Sequence, residues 1–352
     1  MTNLAISVCM IVKNESAVLQ RTLASICNHG LELVIVDTGS TDETKEIALE
    51  FTDKVYDFSW CDDFSAARNF SIEKATNDWI LILDADEIII SFHAEELQKL
   101  MRKKEDIIGR IKIINITGDL DEEKRYVERV SRLFNRKYFH YEGMIHEQIV
   151  CLKGSFFQRA PVAIKVEHIG YTSEVLKRTN KIARNMNLLE LALIQTPDNP
   201  YLLYQLGKSY YLLRDFKSAI EFFKKALDLI LNFSFDYVEN LIESYGYALI
   251  NSGCYNEALN IKKYINFYGN SPDYLFLMGH VYMNNGMFTE AVESFTKCIG
   301  KKESKAEGVN SYLSNYNIGI IFECLGDVEK AKQYYKLCRQ YSPAGDRLKL
   351  LK

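Results

Sequence analysis

The stretch "NDWILILDADEIII" at residues 77–90 sets an apolar run against Asp84, Asp86 and Glu87 and then turns apolar again. On an extended backbone, side chains two residues apart leave the same face, which would aim Asp84 and Asp86 together. Carboxylates that close repel unless a cation or a proton lies between them. A hard divalent ion on one or two carboxylates, with substrate phosphates completing its shell, is one solution. An acidic turn in which Asp86 or Glu87 caps a helix is the other. Asp37 ends a second apolar run, "LELVIVD", before a glycine turn, and the run "AISVCMIV" leads into the polar cluster "VKNE". Further along come His146 and Glu147 in "YEGMIHEQI" and His168 in "VEHIGYT". The "LGKSYY" at 206–211 is not a phosphate loop, because position 202 is Leu where that motif needs Gly.

Apolar strands are expected at 5–12, 31–37, 54–58 and 79–84, with helices at about 17–28 and 64–76 between them. Ser40 and Glu43 have capping-box spacing for a helix after the second strand. Apolar strands joined by helices imply a mostly parallel sheet covered on both faces. Such sheets bind ligands beyond the carboxyl ends of their strands, where Asp37 and Asp84 stand. Additional strands are expected at 106–115, 128–134 and 161–171. Lys124, Arg125, Arg129, Arg132, Arg136 and Lys137 read as a solvated strand face, although Arg132 or Arg136 could reach a diphosphate.

From residue 173 the strand signals give way to helices with an internal repeat. Gly207, Gly246, Gly279 and Gly319 are each followed twelve residues later by an alanine: Ala219, Ala258, Ala291 and Ala331. Phe223, Phe295 and Tyr335 come four residues after three of these alanines, while the second copy has Lys262. The pattern resembles the tetratricopeptide repeat, in which small residues let two antiparallel helices pack closely. The glycine intervals of 39, 33 and 40 residues imply extended helices or loops within the array. Residues 184–200 read as a half-repeat. The expected domains are 1–172 and 200–352, with a helical connector at 173–199.

Taken together, "VKNE", "DTGSTD", "AARN" and "DAD", in this order, resemble family 2 glycosyltransferases of the GT-A fold. The resemblance is strong over residues 5–90 and weaker over 91–171. It implies a Rossmann-like α/β domain followed by an all-α repeat domain. It also implies a nucleotide-sugar site at Val12, Asn14, Glu15, Asp37, Arg68, Asp84 and Ala85. Asp86 and His168 would hold the metal, Mg2+ or Mn2+, that bridges the diphosphate of a UDP-sugar. An inverting transferase needs a base to take the acceptor proton; Glu147 is the first candidate and His146 the second. Such a domain followed by repeats is similar to bacterial sublancin-type peptide S-glycosyltransferases. That similarity implies a Cys or Ser acceptor on a peptide such as a bacteriocin precursor, and a homodimer formed through the repeats. Transfer to a cell-envelope glycan, with the repeats used for assembly, is the alternative, and a non-catalytic repeat scaffold is another.

The composition fits these classes and excludes others. At 47% apolar and 26% charged residues, the 352-residue chain has a substantial core and room for two ordinary domains. Its formal charge of −4 gives no footprint for nucleic acid. No apolar run approaches the roughly 18 residues of a membrane span. The first residues lack a basic segment and a small-residue cleavage site, so no secretory leader is expected. Eight scattered cysteines form no CxxC pair, and most sit among apolar neighbours as buried free thiols of a reducing cytoplasm do.

Overall fold

The strands at residues 6–12, 33–36 and 79–82 are almost wholly apolar because helices cover both faces of the sheet there. The computed structural model describes residues 4–103, 106–117, 124–154, 157–171, 181–301 and 303–351. It divides between Leu188 and Leu189 into two compact units. That division falls within the stretch expected to connect the domains, whose first residues, 173–180, lie outside the described residues together with position 172.

In the first unit, β1 (Ile6–Val12), β2 (Glu32–Asp37), β3 (Val55–Asp57) and β4 (Trp79–Ile82) form the parallel half of the sheet. β5 (Glu87–Phe92), β6 (Ile107–Thr117), β7 (Lys124–Asn135) and β10 (Gln158–Tyr171) extend it to the order β3-β2-β1-β4-β7-β6-β10-β5. Four of the seven pairings are parallel; β7 runs antiparallel to β4 and β6, and β10 to β5. A separate hairpin pairs β8 (Phe139–Glu142) with β9 (Gln148–Cys151). The sheet is thus mostly parallel, as its apolar strands imply. β5 and the hairpin are additions, because runs of four to six residues with mixed polarity carry little strand signal.

One face of the sheet packs on α1 (Ser16–Cys27), α2 (Thr44–Leu49) and α4 (Ala94–Lys103) through Leu19, Leu23, Ala48 and Leu97. The other packs on α3 (Phe64–Lys74) and the hairpin through Ile72, Phe139 and Ile149. Ser40 and Glu43 do not form the expected capping box. The helix begins at Thr44, whose N–H donates to Asp42 at 3.1 Å, while the Ser40 hydroxyl turns back to Asp37. The nearer acceptor prevails over the sequence pattern.

The second unit is built of helical pairs, among them Pro200–Leu212 with Phe216–Leu227 and Pro272–Asn284 with Phe288–Cys298. A Cβ on Gly207, Gly279 or Gly319 would stand 2.5–2.6 Å from Phe223, Phe295 or Tyr335. Each glycine therefore seats the aromatic ring that follows the repeat's alanine, and all four alanines are fully buried. In the degenerate copy Ile261 and Leu277 press on Gly246 instead. The long interval before Gly319 holds a loop that Lys305 pins, reaching Glu239 and Glu243 at 3.0 and 2.8 Å. Only Cys9, Cys298 and Cys338 are buried; Cys27, Cys61, Cys254 and Cys324 are exposed, contrary to the expectation of buried thiols. Among the described residues no helix is long and apolar enough to cross a membrane.

Candidate active site

Residues 84–87 make a tight turn between β4 and β5. The Glu87 N–H donates to the Asp84 carbonyl at 3.1 Å, and the Glu87 carboxylate accepts from the Asp84 N–H at 3.0 Å. Because this is a turn and not an extended run, its acids meet different partners. Asp84 accepts from Arg68 Nη2 at 2.9 Å on one oxygen and from Arg132 Nη2 at 2.7 Å on the other. The same Arg132 nitrogen donates to Glu87 at 3.0 Å, and Arg68 Nε donates to Glu147. The result is a chain of alternating charge, Glu147–Arg68–Asp84–Arg132–Glu87. Asp86 faces away from it toward His168, with Oδ2 3.3 Å from Nε2.

Local structure explains how Arg68 and Glu147, far apart in sequence, come together. Asp63 caps α3 by accepting the Ala66 N–H, and the neighbouring Phe64 N–H donates to the Met144 carbonyl at 2.9 Å. Asn69 clamps the backbone of Tyr141 from both sides, at 2.9 and 3.0 Å. Helix and hairpin are thus locked side by side, with Arg68 next to the loop that ends at Glu147. In that loop His146 takes a left-handed backbone, φ 49°, and its carbonyl accepts from Gln148. Glu147, not His146, is the residue that binds Arg68.

Removal from water works to raise Asp84, but Arg132 and Arg68 outweigh it and hold its carboxyl well below the usual carboxylate range. Burial raises Glu87, Arg132 draws it back, and the charge on Asp84 pushes it up again, so it stays above its ordinary value. The two carboxyls that share Arg132 are therefore shifted in opposite directions. Burial disfavours the charge on His168, yet its contact with Asp86 keeps its pKa raised. Burial pushes Tyr141 up to about 12.

The cluster is incomplete on its own terms. Arg68 Nη1, Arg132 Nε and the Tyr141 hydroxyl are buried without an acceptor. A buried donor without a partner costs on the order of 1–3 kcal/mol, and native structures rarely leave several together. All are donors, and two belong to guanidinium groups, the side chain best matched to phosphate oxygens. Arg132, read from sequence as part of a solvated face, is instead 12% exposed at its side chain and central to the cluster. Tyr141 carries no sequence signal that singles it out, and Glu87, read from sequence only as a possible helix cap, instead pairs with Arg132.

The remaining candidates lie where β1 and β2 end. The Val12 carbonyl accepts from the Thr38 N–H at 2.9 Å, and Asn14 Oδ1 from the Thr41 N–H at 2.8 Å. The Glu15 N–H donates to Thr44 Oγ1 at 2.7 Å. Asp37, 5% exposed, accepts from the N–H groups of Gly39 and Ser40, so its oxygens are taken up by its own loop. The Ala85 carbonyl accepts from Thr22 at 2.6 Å, which ties the acidic turn to α1.

Residues 7–162 match the family described as glycosyl transferase family 2, and residues 200–232, 272–301 and 312–344 match tetratricopeptide repeats. The chain carries a family 2 glycosyltransferase domain followed by tetratricopeptide repeats. It is 34% identical over 230 residues to a TPR repeat-containing protein of Synechococcus elongatus, covering 63% of this chain and 56% of that one. It is 33% identical over 225 residues to the SPbeta prophage-derived glycosyltransferase SunS of Bacillus subtilis, covering 62% of this chain and 52% of SunS. The chain thus spans about half the length of these curated relatives. Among solved structures, MamA overlaps 50% of this chain and 97% of its own, at 22% identity and a TM-score of 0.40.

Proposed function

We propose that the chain is a metal-dependent inverting glycosyltransferase that moves a sugar from a UDP-sugar to a Cys or Ser side chain of a peptide. The observation that carries this reading is the trio of buried, unsatisfied donors on Arg68, Arg132 and Tyr141 at the carboxyl end of a parallel sheet. The oxygens of a nucleotide diphosphate supply the acceptors these donors lack. The glycosyltransferase domain and the SunS likeness support the reaction class.

The residues present fit a divalent cation. Asp86 and His168 offer one carboxylate oxygen and one imidazole nitrogen facing each other. Among the described residues no group of three His, Cys, Asp or Glu side chains forms a metal site. Two protein ligands are the number a magnesium or manganese site uses when substrate phosphates complete it. When bound, the metal supplies positive charge against the departing diphosphate.

This chain's own residues do the rest. Arg68 and Arg132 bind and orient the diphosphate, with Asp84 fixing both guanidinium groups. Val12, Asn14, Glu15 and Asp37 form the wall that receives the nucleoside. The acceptor sulfur or oxygen attacks the anomeric carbon, the bond to the diphosphate breaks with its electron pair leaving on UDP, and Glu147 takes the acceptor proton. A thiol titrates near pH 8.5 and asks less of that base than a hydroxyl does. Repeat arrays offer surfaces suited to extended peptides, which is the reason for a peptide acceptor. A UDP-sugar donor and eight free thiols suit a cytoplasmic setting, and a homodimer through the repeats completes the reading.

The test is intact-mass analysis of Cys- and Ser-containing peptides incubated with the protein, Mn2+ and a panel of UDP-sugars. A gain of one sugar mass is expected. No mass gain, no donor hydrolysis and no thermal shift with any UDP-sugar would overturn the reading.

A further inference from the structure

β6, β7 and β10 run on past the end of β4, whose last pair joins Leu81 to Leu133. They form a floor beyond the carboxyl edge of the parallel strands, the side on which such sheets bind ligands. On that floor, register sets three cations in one row: Arg129 opposite Lys112, and Lys112 opposite Lys165. Their neighbours Ile111, Ile113, Val130, Ile164 and Val166 belong to the core under α1, α2 and α4. The three cations therefore leave the opposite face, where Ile108 and Phe134 pack and where Arg68 and Arg132 hold Asp84. Arg110, on the same face, donates to the Arg129 carbonyl at 2.6 Å and adds a fourth positive charge. Neighbouring strands are about 4.8 Å apart, and like charges set directly opposite repel. Lys112 and Lys165 are half-buried, and among the described residues neither forms an ion pair with a carboxylate. Glu167, the acid of β10 on that face, stands further along, opposite Ile114. The row thus carries a repulsion that an anion from outside would relieve.

We propose that the row Arg129–Lys112–Lys165 is a docking floor for an acidic stretch of the acceptor peptide. The row is about 10 Å wide, which suits several carboxylates of an extended chain and is broader than one phosphate. Arg129 stands three residues, about 10 Å, along β7 from Arg132. An extended peptide covers that distance in about three residues, so the acidic stretch begins about there, counted from the acceptor Cys or Ser. The inference rests on the peptide-acceptor reading given above, so its test includes a binding measurement that needs neither donor nor metal.

The probes are fluorescein-labelled peptides with a single Cys, followed from its third neighbour by four Glu in one and four Gln in the other. Fluorescence anisotropy on the full chain is expected to show the Glu peptide bound at least about tenfold more tightly. That difference should shrink as salt rises from roughly 50 to 300 mM. Lys112→Glu combined with Lys165→Glu is expected to bind the Glu peptide at least about tenfold more weakly. The same double variant should bind a matching peptide of four Lys more tightly than the wild type does, with donor hydrolysis within about twofold. Circular dichroism checks folding, and Lys112→Gln with Lys165→Gln stands in if charge reversal unfolds the sheet. Equal affinity for the Glu and Gln peptides overturns the inference, as does a folded double variant that binds the Glu peptide like the wild type. So does a double variant that loses binding to phosphatidylglycerol vesicles and keeps binding to the peptide. Glu-peptide binding at the row with no sugar transferred to any peptide overturns the peptide-acceptor reading itself. Transfer to both peptides at the same KM, unchanged in the double variant, overturns only the docking row.

Discussion

Both ends of the parallel sheet hold carboxylate against cationic partners, and the two networks differ in character. At the amino end Glu32 accepts from Lys54, Ser7, Thr76 and Asn77. Burial works to raise it, but those donors outweigh burial and hold it at about 2. Every group there answers another within the protein. At the carboxyl end Asp84, Glu87 and Glu147 share Arg68 and Arg132, and three buried donors are still left over. A closed network serves the fold, whereas a network with surplus donors is poised for a ligand that completes it. What separates the two is saturation.

The largest test of that contrast is Arg132→Ala. Removing one partner of a buried ion network costs about 3–5 kcal/mol, and losing a positioned donor lowers turnover by about 10²–10³-fold. Donor hydrolysis per folded molecule, measured below the variant's melting point, should fall at least 100-fold; activity within threefold of wild type would dissolve the distinction. Glu32→Ala should do the reverse. It should lower stability in urea by about 2 kcal/mol while activity per folded molecule stays within twofold.

Gly279→Ala lies outside both clusters and serves as a control. Its new methyl meets Phe295 at 2.5 Å, an overpacking of about 1–3 kcal/mol. It should lower the melting temperature of the repeat unit and leave donor hydrolysis unchanged. The smallest effect is the pH dependence of Glu32. Its folded pKa, about 2, lies below the ordinary 4.5, so its contribution is present above about pH 4.5 and lost as pH falls toward 2. The stability gap between wild type and Glu32→Gln should therefore narrow between pH 6 and pH 3. A gap that widens would place Glu32 in the wrong class.

Much of this was legible in the chain. β1, β2 and β4 announce themselves as apolar runs, and the glycine-to-aromatic spacing of the repeats is the spacing at which rings meet glycines in the fold. Arg132 was legible only as one of two arginines that could reach a diphosphate. On a strand, period two puts an arginine on one face or the other, and only the placement of β7 beside β4 and the 84–87 turn decides which. Glu87 was opaque for the same reason, since its partner lies 45 residues away. The capping box at Ser40 was legible and misleading, because Asp37 offers that serine a nearer acceptor. Lys112 and Lys165 carried no signal of their own; only the pairing of β6 with β7 and β10 sets them in one row with Arg129.

The loops that follow β1 and β2 are stitched together: Val12 to Thr38, Asn14 to Ser40 and Thr41, Glu15 to Thr44, and Ser16 to Asp42. The two loops therefore act as a single structural cassette. A chimera that takes one loop from a relative and keeps the other would strand donors on both sides of the seam. A loop exchange between this chain and a relative should keep the fold only when residues 12–16 and 37–44 travel together.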